Sequence, residues 1–241
     1  EQHQIAEVLD RTEELRTKRR AGLAQVDQLT QAIFLDMFGD PISNPSRWPV
    51  IPCDDLCERI TVGIVVRPAS YYVKSGVPAL RSMNVRQNEI VTNELVFFDE
   101  RVNESLLSKT RIWAGDVLVV RSGQPGTAAV VPPELDGANA IDILIVTPDT
   151  TKVEPAYLCH YFNSEGGRQM VLGAKRGQVQ QHLNVGSLKV AAVPSPPIRL
   201  QHEFARRVVA VDKLKGAQRA SLAHLDSLFA SLQHRAFRGE L

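Results

Sequence analysis

Residues 2–29 recur, without a gap, 199 positions further along the chain. Gln2, His3, Ala6, Leu15, Arg20, Ala21, Leu23, Ala24, Asp27 and Leu29 meet Gln201, His202, Ala205, Leu214, Arg219, Ala220, Leu222, Ala223, Asp226 and Leu228. Two copies are too few to stack as a solenoid. They instead bracket a different kind of sequence with two equivalent elements. Both copies read as helices. Ile5, Val8, Leu15, Val26, Leu29 and Ile33 suggest a heptad seam, as do Phe204, Val211, Leu214, Leu225, Leu228 and Leu232. Both seams weaken at the same place, Arg19 and Gly22 in one copy, Gln218 and Ser221 in the other. The first helix is expected from about Gln2 to Met37, closed by Gly39-Asp40-Pro41. At the α-helical rise it would be about 54 Å long. A long helix with a narrow apolar seam needs a partner, and the other copy is the natural one. An antiparallel coiled coil is the expectation; two helices packing separately on one globule is the alternative.

The stretch between the copies has another texture. Pro and Gly recur, and the apolar runs are short: 95–98, 116–120, 128–131, 141–146 and 188–193. These have the length and β-branching of strands. Residues 153–162 and 167–172 suggest short helices. Pro194-Ser195-Pro196-Pro197 makes a stiff entry to the second long helix. The expected fold class is α+β: residues 1–40 a long helix, 41–197 a compact mixed α/β domain, and 198–241 the distal long helix.

Charge separates along the chain although the net charge is only +1. Residues 1–40 hold five cations against eight acids, 41–198 hold fifteen of each, and 199–241 hold eight against four. Inside the middle domain no acid lies between Glu58 and Glu89, a stretch with Arg59, Arg67, Lys74, Arg81 and Arg86. None lies between Glu165 and Glu203, a stretch with Arg168, Lys175, Arg176, Lys189 and Arg199. A neutral domain with two such segments can carry a one-sided positive field; a solvated surface with chance clustering is the plainer reading. The chain opens on Glu1 rather than Met, as a segment of a longer protein would. Its first twenty residues are polar and charged, unlike a signal peptide. Three irregularly spaced cysteines suit reduced thiols in a cytoplasmic protein. No apolar run approaches the length of a membrane span.

Several phrases together resemble one family. Phe38-Gly39-Asp40-Pro41 followed by Asn44-Pro45-Ser46-Arg47-Trp48-Pro49 resembles the passage from a conserved helix into a target-recognition domain of Type I restriction–modification specificity subunits. Residues 193–201 resemble the exit into the distal conserved helix. Leu80-Arg81-Ser82-Met83-Asn84-Val85 is similar to the family's early strand, 115–123 to its central turn, and 177–184 to the segment before its last strand. The family usually alternates two recognition domains with two helices, whereas here one domain lies between two helices. Either a first recognition domain is missing, or this is a half-size subunit that pairs with a second copy. The resemblance implies a non-catalytic subunit that reads one half of a split double-stranded DNA target. It also implies docking to methyltransferase subunits, which carry S-adenosylmethionine and flip the target adenine, and to a motor–nuclease subunit.

Reading DNA requires donors and acceptors for base edges and cations for phosphates. The turn Arg121-Ser122-Gly123-Gln124-Pro125-Gly126-Thr127 suits both: Arg121 has the geometry for guanine O6 and N7, Gln124 for adenine N6 and N7. A tight turn between strands is the plain alternative. Lys175, Arg176, Gln178, Gln180 and His182 crowd a polar segment suited to phosphate and base contacts, or to a surface loop. Arg67 belongs to the first acid-free stretch. Arg81, Ser82 and Asn84 are further candidates, with strand alternation setting Ser82 and Asn84 on one face and Arg81 on the other. Tyr71 and Tyr72 suit either base stacking or half-buried packing.

Catalytic readings fare poorly. Asn44-Pro45-Ser46-Arg47 lacks the second proline and the aromatic of an adenine methyltransferase loop. No Gly-rich turn offers a cofactor site and no phosphate-cradling loop carries a Lys-Ser/Thr pair. Around Pro148-Asp149 and Lys152 the acid a nuclease would need is replaced by Thr150. Cys53, Cys57, Cys159 and His160 match no common zinc spacing. No cofactor or metal is expected. A coiled-coil scaffold that does not bind DNA, and the recognition module of a fused methyltransferase–nuclease, remain as alternatives.

Overall fold

The computed structural model describes residues 2–173 and 182–238. Its elements, in order, are α1 (Gln2–Phe38), β1 (Val50–Pro52), β2 (Cys57–Val62), β3 (Tyr72–Val73), β4 (Val77–Leu80), β5 (Val85–Arg86), β6 (Glu89–Ile90), β7 (Val96–Phe98), α2 (Glu100–Glu104), β8 (Val117–Val120), β9 (Ala128–Val130), β10 (Asn139–Ala140), β11 (Ile143–Pro148), α3 (Pro155–Asn163), α4 (Glu165–Leu172), α5 (Val185–Lys189), β12 (Ala192–Pro194) and α6 (Ile198–Phe237). The chain divides into two units, Glu1–Ile33 with Arg206–Leu241, and Phe34–Ala205.

In the first unit the two long helices pair antiparallel. Arg16 Nε meets Asp226 Oδ1 at 2.6 Å, the Arg16 guanidinium lies 4.3 Å from the Phe229 ring centroid, and Arg19 donates to Gln218. The seam is only partly the one expected: Val26, Ile33, Val211, Leu225 and Leu232 are sheltered, but other members are not. Leu15 and Leu214 are 48% and 45% exposed, and Val8, Leu29 and Leu228 are exposed as well. The sheltered positions are Leu9, Thr12, Arg16, Arg19, Leu23, Val26, Thr30 and Ile33, in unbroken three- and four-residue steps. Their equivalents in the second copy, Val208, Val211, Lys215, Gln218, Leu222, Leu225, Phe229 and Leu232, are sheltered too. The aliphatic count misled because polar side chains occupy four seam positions in the first copy (Thr12, Arg16, Arg19, Thr30) and two in the second (Lys215, Gln218). Long Arg and Lys stems can cover apolar surface while the head reaches a charge partner, as Arg16 does.

The second unit is built on two four-stranded sheets. One has the order β2-β11-β8-β9, antiparallel throughout; the other has the order β10-β4-β7-β3. In the first, β11 sits centrally, pairing Leu144 with Val62 and Ile143 with Val120. It is buried along nearly its whole length, and a continuous β-branched run suits a strand covered on both faces. Leu118, Val120, Ala129, Ile143 and Ile145 form the core with Leu80, Ile112 and Val131. The outer strand β9 is closed by a side chain. Asn163 accepts from Ala128 N–H at 3.0 Å and donates to Ala128 C=O at 2.8 Å, mimicking a neighbouring strand.

The ends of the long helices belong to this unit for a packing reason. Phe34 and Phe38 from α1, Phe204 from α6 and Tyr157 from α3 form one aromatic cluster, with ring centroids 4.8 to 5.7 Å apart. Gln201 is fully buried and bridges Glu154 N–H and Pro196 C=O. Gly39, at φ +79°, ends α1 in the left-handed region, and α6 begins directly after the proline run.

Some expectations change. Residues 188–193 are not one strand: Val185–Lys189 is helical and only Ala192–Pro194 pairs, with β1. Residues 82–84 are a single 3-10 turn rather than strand, so the alternation assigned to Ser82 and Asn84 does not apply.

Candidate nucleic-acid interface

Strands β2 and β8 run in the same direction beside β11, so both finish where β11 begins. Three chain segments therefore emerge at one rim of the sheet: 63–67 after β2, 121–127 between β8 and β9, and 139–142 before β11. They are tied together by the backbone. Gly63 N–H donates to Ile143 C=O at 2.8 Å, Ile64 N–H to Ala140 C=O at 2.9 Å, and Asp142 N–H to Ile64 C=O at 3.1 Å. Gly63 permits this approach, because a β-carbon there would lie 2.3 Å from the Ala140 oxygen.

Arg121 is the hub of the rim. Nη1 pairs with Asp142 Oδ1 at 2.6 Å, Nη2 meets His182 Nε2 at 2.6 Å, and the side chain is 15% exposed. A guanidinium can only donate, so His182 Nε2 accepts. The imidazole proton is then on Nδ1 and donates to Ser122 Oγ at 2.8 Å. That leaves the Ser122 hydroxyl proton free to point elsewhere. Ser122 and His182 also form a backbone bridge, and Leu183 N–H donates to Arg121 C=O at 2.9 Å. Asp142 holds its place with φ +51°, in the left-handed region.

Four of the expected residues thus share this rim: Arg121, Ser122 and His182 in one network, and Gln124 exposed at the tip of the turn. The turn reverses through Gly123 and Gly126, at φ +80° and +86°. Arg67 is exposed on the segment that leaves the rim. Lys175, Arg176, Gln178 and Gln180 lie outside the described residues.

The group at 81–84 has a different occupation. Asn84 is fully buried. Its amide donates to Val91 C=O at 3.0 Å and Asn93 C=O at 2.9 Å, and its oxygen accepts from Arg81 N–H at 2.9 Å. It closes the β5–β6 hairpin and is removed from the candidate surface. Arg81 donates to Glu94 C=O and Ser82 is half-buried in the turn. Tyr71 and Tyr72 pack on Phe98, with centroids at 6.3 and 5.9 Å, Tyr72 remaining exposed along one side.

Sequence reasoning passed over Asp142 and Arg168. Arg168 lays its stem along Gly126, where a β-carbon would lie 3.4 Å from its Cγ, and Nη2 reaches Thr127 Oγ1 at 3.5 Å. Its place in an acid-free segment was the available signal. Asp142 had none, since its role depends on a positive φ and a partner 21 positions away. The would-be nuclease group is a surface turn in which Asp149 pairs with Lys152 at 3.1 Å and accepts from Thr151 Oγ1 at 2.6 Å.

No family model matches the chain. It is similar to the Type I restriction enzyme EcoBI specificity subunit of Escherichia coli, 24% identical over 221 residues, covering 89% of this chain and 46% of that protein. It is likewise similar to the EcoKI specificity subunit of Escherichia coli strain K12, 28% identical over 177 residues, covering 69% of this chain and 38% of that protein. Among solved structures, a chain of a type I R-M system superposes over 99% of this chain and 58% of its own length, with TM-score 0.66 and 19% identity. The chain thus spans less than half the length of the curated relatives. The resemblance to Type I specificity subunits is borne out by those relatives, and the α+β architecture with its two long helices by the shared fold. Among the described residues no helix is long and apolar enough to cross a membrane.

Proposed function

We propose that the chain is a DNA-reading, non-catalytic element of a Type I restriction–modification assembly, and that the rim described above faces double-stranded DNA. The observation that carries this reading is the convergence of Arg121, Ser122, Gln124 and His182 at one sheet end, in a chain whose curated relatives are specificity subunits. Gln124 is the residue best placed for a base edge, being exposed at the tip of the turn beside Gly123, which stands open to close approach. Arg67 and Arg168 supply cations around it for phosphates. Arg121 fixes the groups beside it and keeps a second N–H on each terminal nitrogen beyond its bonds to Asp142 and His182.

One such domain reads one half of a split target. The paired helices serve as spacer and as docking surface for methyltransferase subunits, with the motor–nuclease subunit joining the assembly. A second copy of the chain, or a second recognition domain, supplies the other half. The test is methylome sequencing of cells with and without this gene. A split adenine-methylation motif that disappears with the gene supports the reading, and an unchanged methylome contradicts it.

A further inference from the structure

Two neighbouring valines stand out beside the rim. Val65 is 51% exposed and Val66 is 71% exposed. The chain bends at Val66, and both side chains stand at this exposed corner. It is held firmly at each end. Before it, Ile64 is bonded to Ala140 and Asp142. After it, Arg67 takes the left-handed conformation at φ 45° and ψ 49°, and its carbonyl accepts from Ser70 N–H at 3.0 Å and Ser70 Oγ at 2.8 Å. Pro68 stiffens the turn further. An exposed apolar corner anchored at both ends fits a concave partner better than a flat one.

The surroundings identify the partner. The tip leaves the sheet beside Asp142, which holds Arg121, so it borders the polar rim directly. It is followed by exposed Arg67 and Lys74, and the chain from Arg59 to Asn88 contains no acid. A concave, negatively charged surface suits this patch, and a duplex groove is one. The major groove also offers an apolar target among its hydrogen-bonding edges, the thymine 5-methyl group. Exposed Leu106 and Val190 lack this setting, since each stands singly.

We infer that Val66, at the exposed Val65–Val66 tip, is an apolar reading residue that packs against a thymine 5-methyl group in the major groove, next to the hydrogen-bonding rim. This rests on the DNA-reading function proposed above and adds thymine discrimination to it. The experiment is selection of duplexes from two random libraries, one with thymine and one with deoxyuridine in its place, by the chain and by Val66→Ser and Val66→Ile. One buried methyl group corresponds to about fourfold in affinity. The wild-type chain should favour its thymine-containing motif over the uracil form by about that factor, Val66→Ile should keep the preference, and Val66→Ser should enrich both forms alike. Equal enrichment of both forms by the wild-type chain, or a thymine preference that survives in Val66→Ser, overturns the inference while leaving DNA reading intact. A wild-type chain that enriches no sequence from either library overturns the DNA-reading function as well.

Discussion

Arg19 and Gln218, hydrogen-bonded to each other across the helical pair, are the same position in the two repeated helices. In an antiparallel pair of equivalent helices, only residues at the local two-fold axis can meet their own counterparts. The repeat therefore locates the axis of the pair, and the polar break in both seams falls on it. A polar contact within the seam is a known way to fix register, and here it is flanked by the sheltered Arg16 in one copy and Lys215 in the other.

The seam assignment is tested by contrasting two leucines of α1. Leu23 is sheltered and Leu15 is exposed. Leu23→Asp should destabilise the helical pair by about 2 kcal/mol, since it brings an unpaired charge to an apolar level. Leu15→Asp should stay within about 0.5 kcal/mol of the parent. Thermal unfolding followed by circular dichroism separates them, and equal effects would mean the seam is misplaced. Replacing the axial pair together, Arg19→Leu with Gln218→Leu, should raise the melting temperature at the expense of register.

His160 makes the fold sensitive to acid. The ring is buried, donates from Nδ1 to Ala156 C=O at 2.9 Å, and lies edge-on to Phe204, with Nε2 lacking a partner among the described residues. Burial pulls its pKa down to about 4. The unfolded chain, with an ordinary histidine pKa, binds the proton more readily. The stabilisation is therefore complete above the unfolded pKa and is lost as pH falls from about 6.5 toward 4. The loss is on the order of 3 kcal/mol. Denaturant midpoints measured across that range should fall steeply for the parent chain and more gently for His160→Gln. Parallel profiles would exclude His160 as the cause.

Asp116 secures the end of the β2-β11-β8-β9 sheet opposite the rim. Its carboxylate is almost fully buried and is met by Arg59 Nη2 at 3.0 Å, Thr147 Oγ1 at 2.7 Å and Trp113 N–H at 2.9 Å. Desolvation raises its pKa against these partners. Asp116→Ala would take the charge partner from a guanidinium that keeps only Thr147 Oγ1 and the Lys109 and Arg111 carbonyls, and would leave the Trp113 N–H unmet; it should cost about 2 kcal/mol. Equilibrium unfolding in urea reads this directly; a loss below about 0.5 kcal/mol, the range of ordinary surface changes, would show that the pair is dispensable.

The Arg121 network fixes a tautomer. With the guanidinium donating to Nε2, His182 carries its proton on Nδ1. Nitrogen chemical shifts of the ring should show that form in the parent chain, and Arg121→Ala should move the ring toward the Nε2–H form. An Nε2–H ring in the parent chain would mean that Arg121 and His182 do not meet in solution.

The sequence carried the plan of the molecule more faithfully than its surfaces. The repeat revealed the two helices and their mutual pairing, and Gly39 and the proline run marked where they end. The seam was misread because Thr12, Arg16, Arg19 and Lys215 occupy sheltered positions that a count of aliphatic residues cannot recognise. At the site, the glycine-bearing turn 121–127 was legible from its composition. Asn84 was not, because its polar type suits a DNA edge and a hairpin closure equally well and only burial distinguishes them. Asp142 was invisible for another reason: its partner comes from a neighbouring strand, and strand order is not written in local pattern.

The central claim is that the rim reads duplex DNA, and Gln124 tests it most directly. The measurement is a binding titration of the parent chain and Gln124→Ala on an enriched duplex, its single-base variants and an unrelated duplex, at several salt concentrations. The parent chain should bind with affinity that falls as salt rises. Gln124→Ala should lose about 1–3 kcal/mol on the enriched duplex, relax preference at one base pair, and leave the unrelated duplex unaffected. Absence of salt-dependent duplex binding by the parent chain, or an unchanged affinity and base preference in Gln124→Ala, would contradict the assignment of this rim as the reading surface.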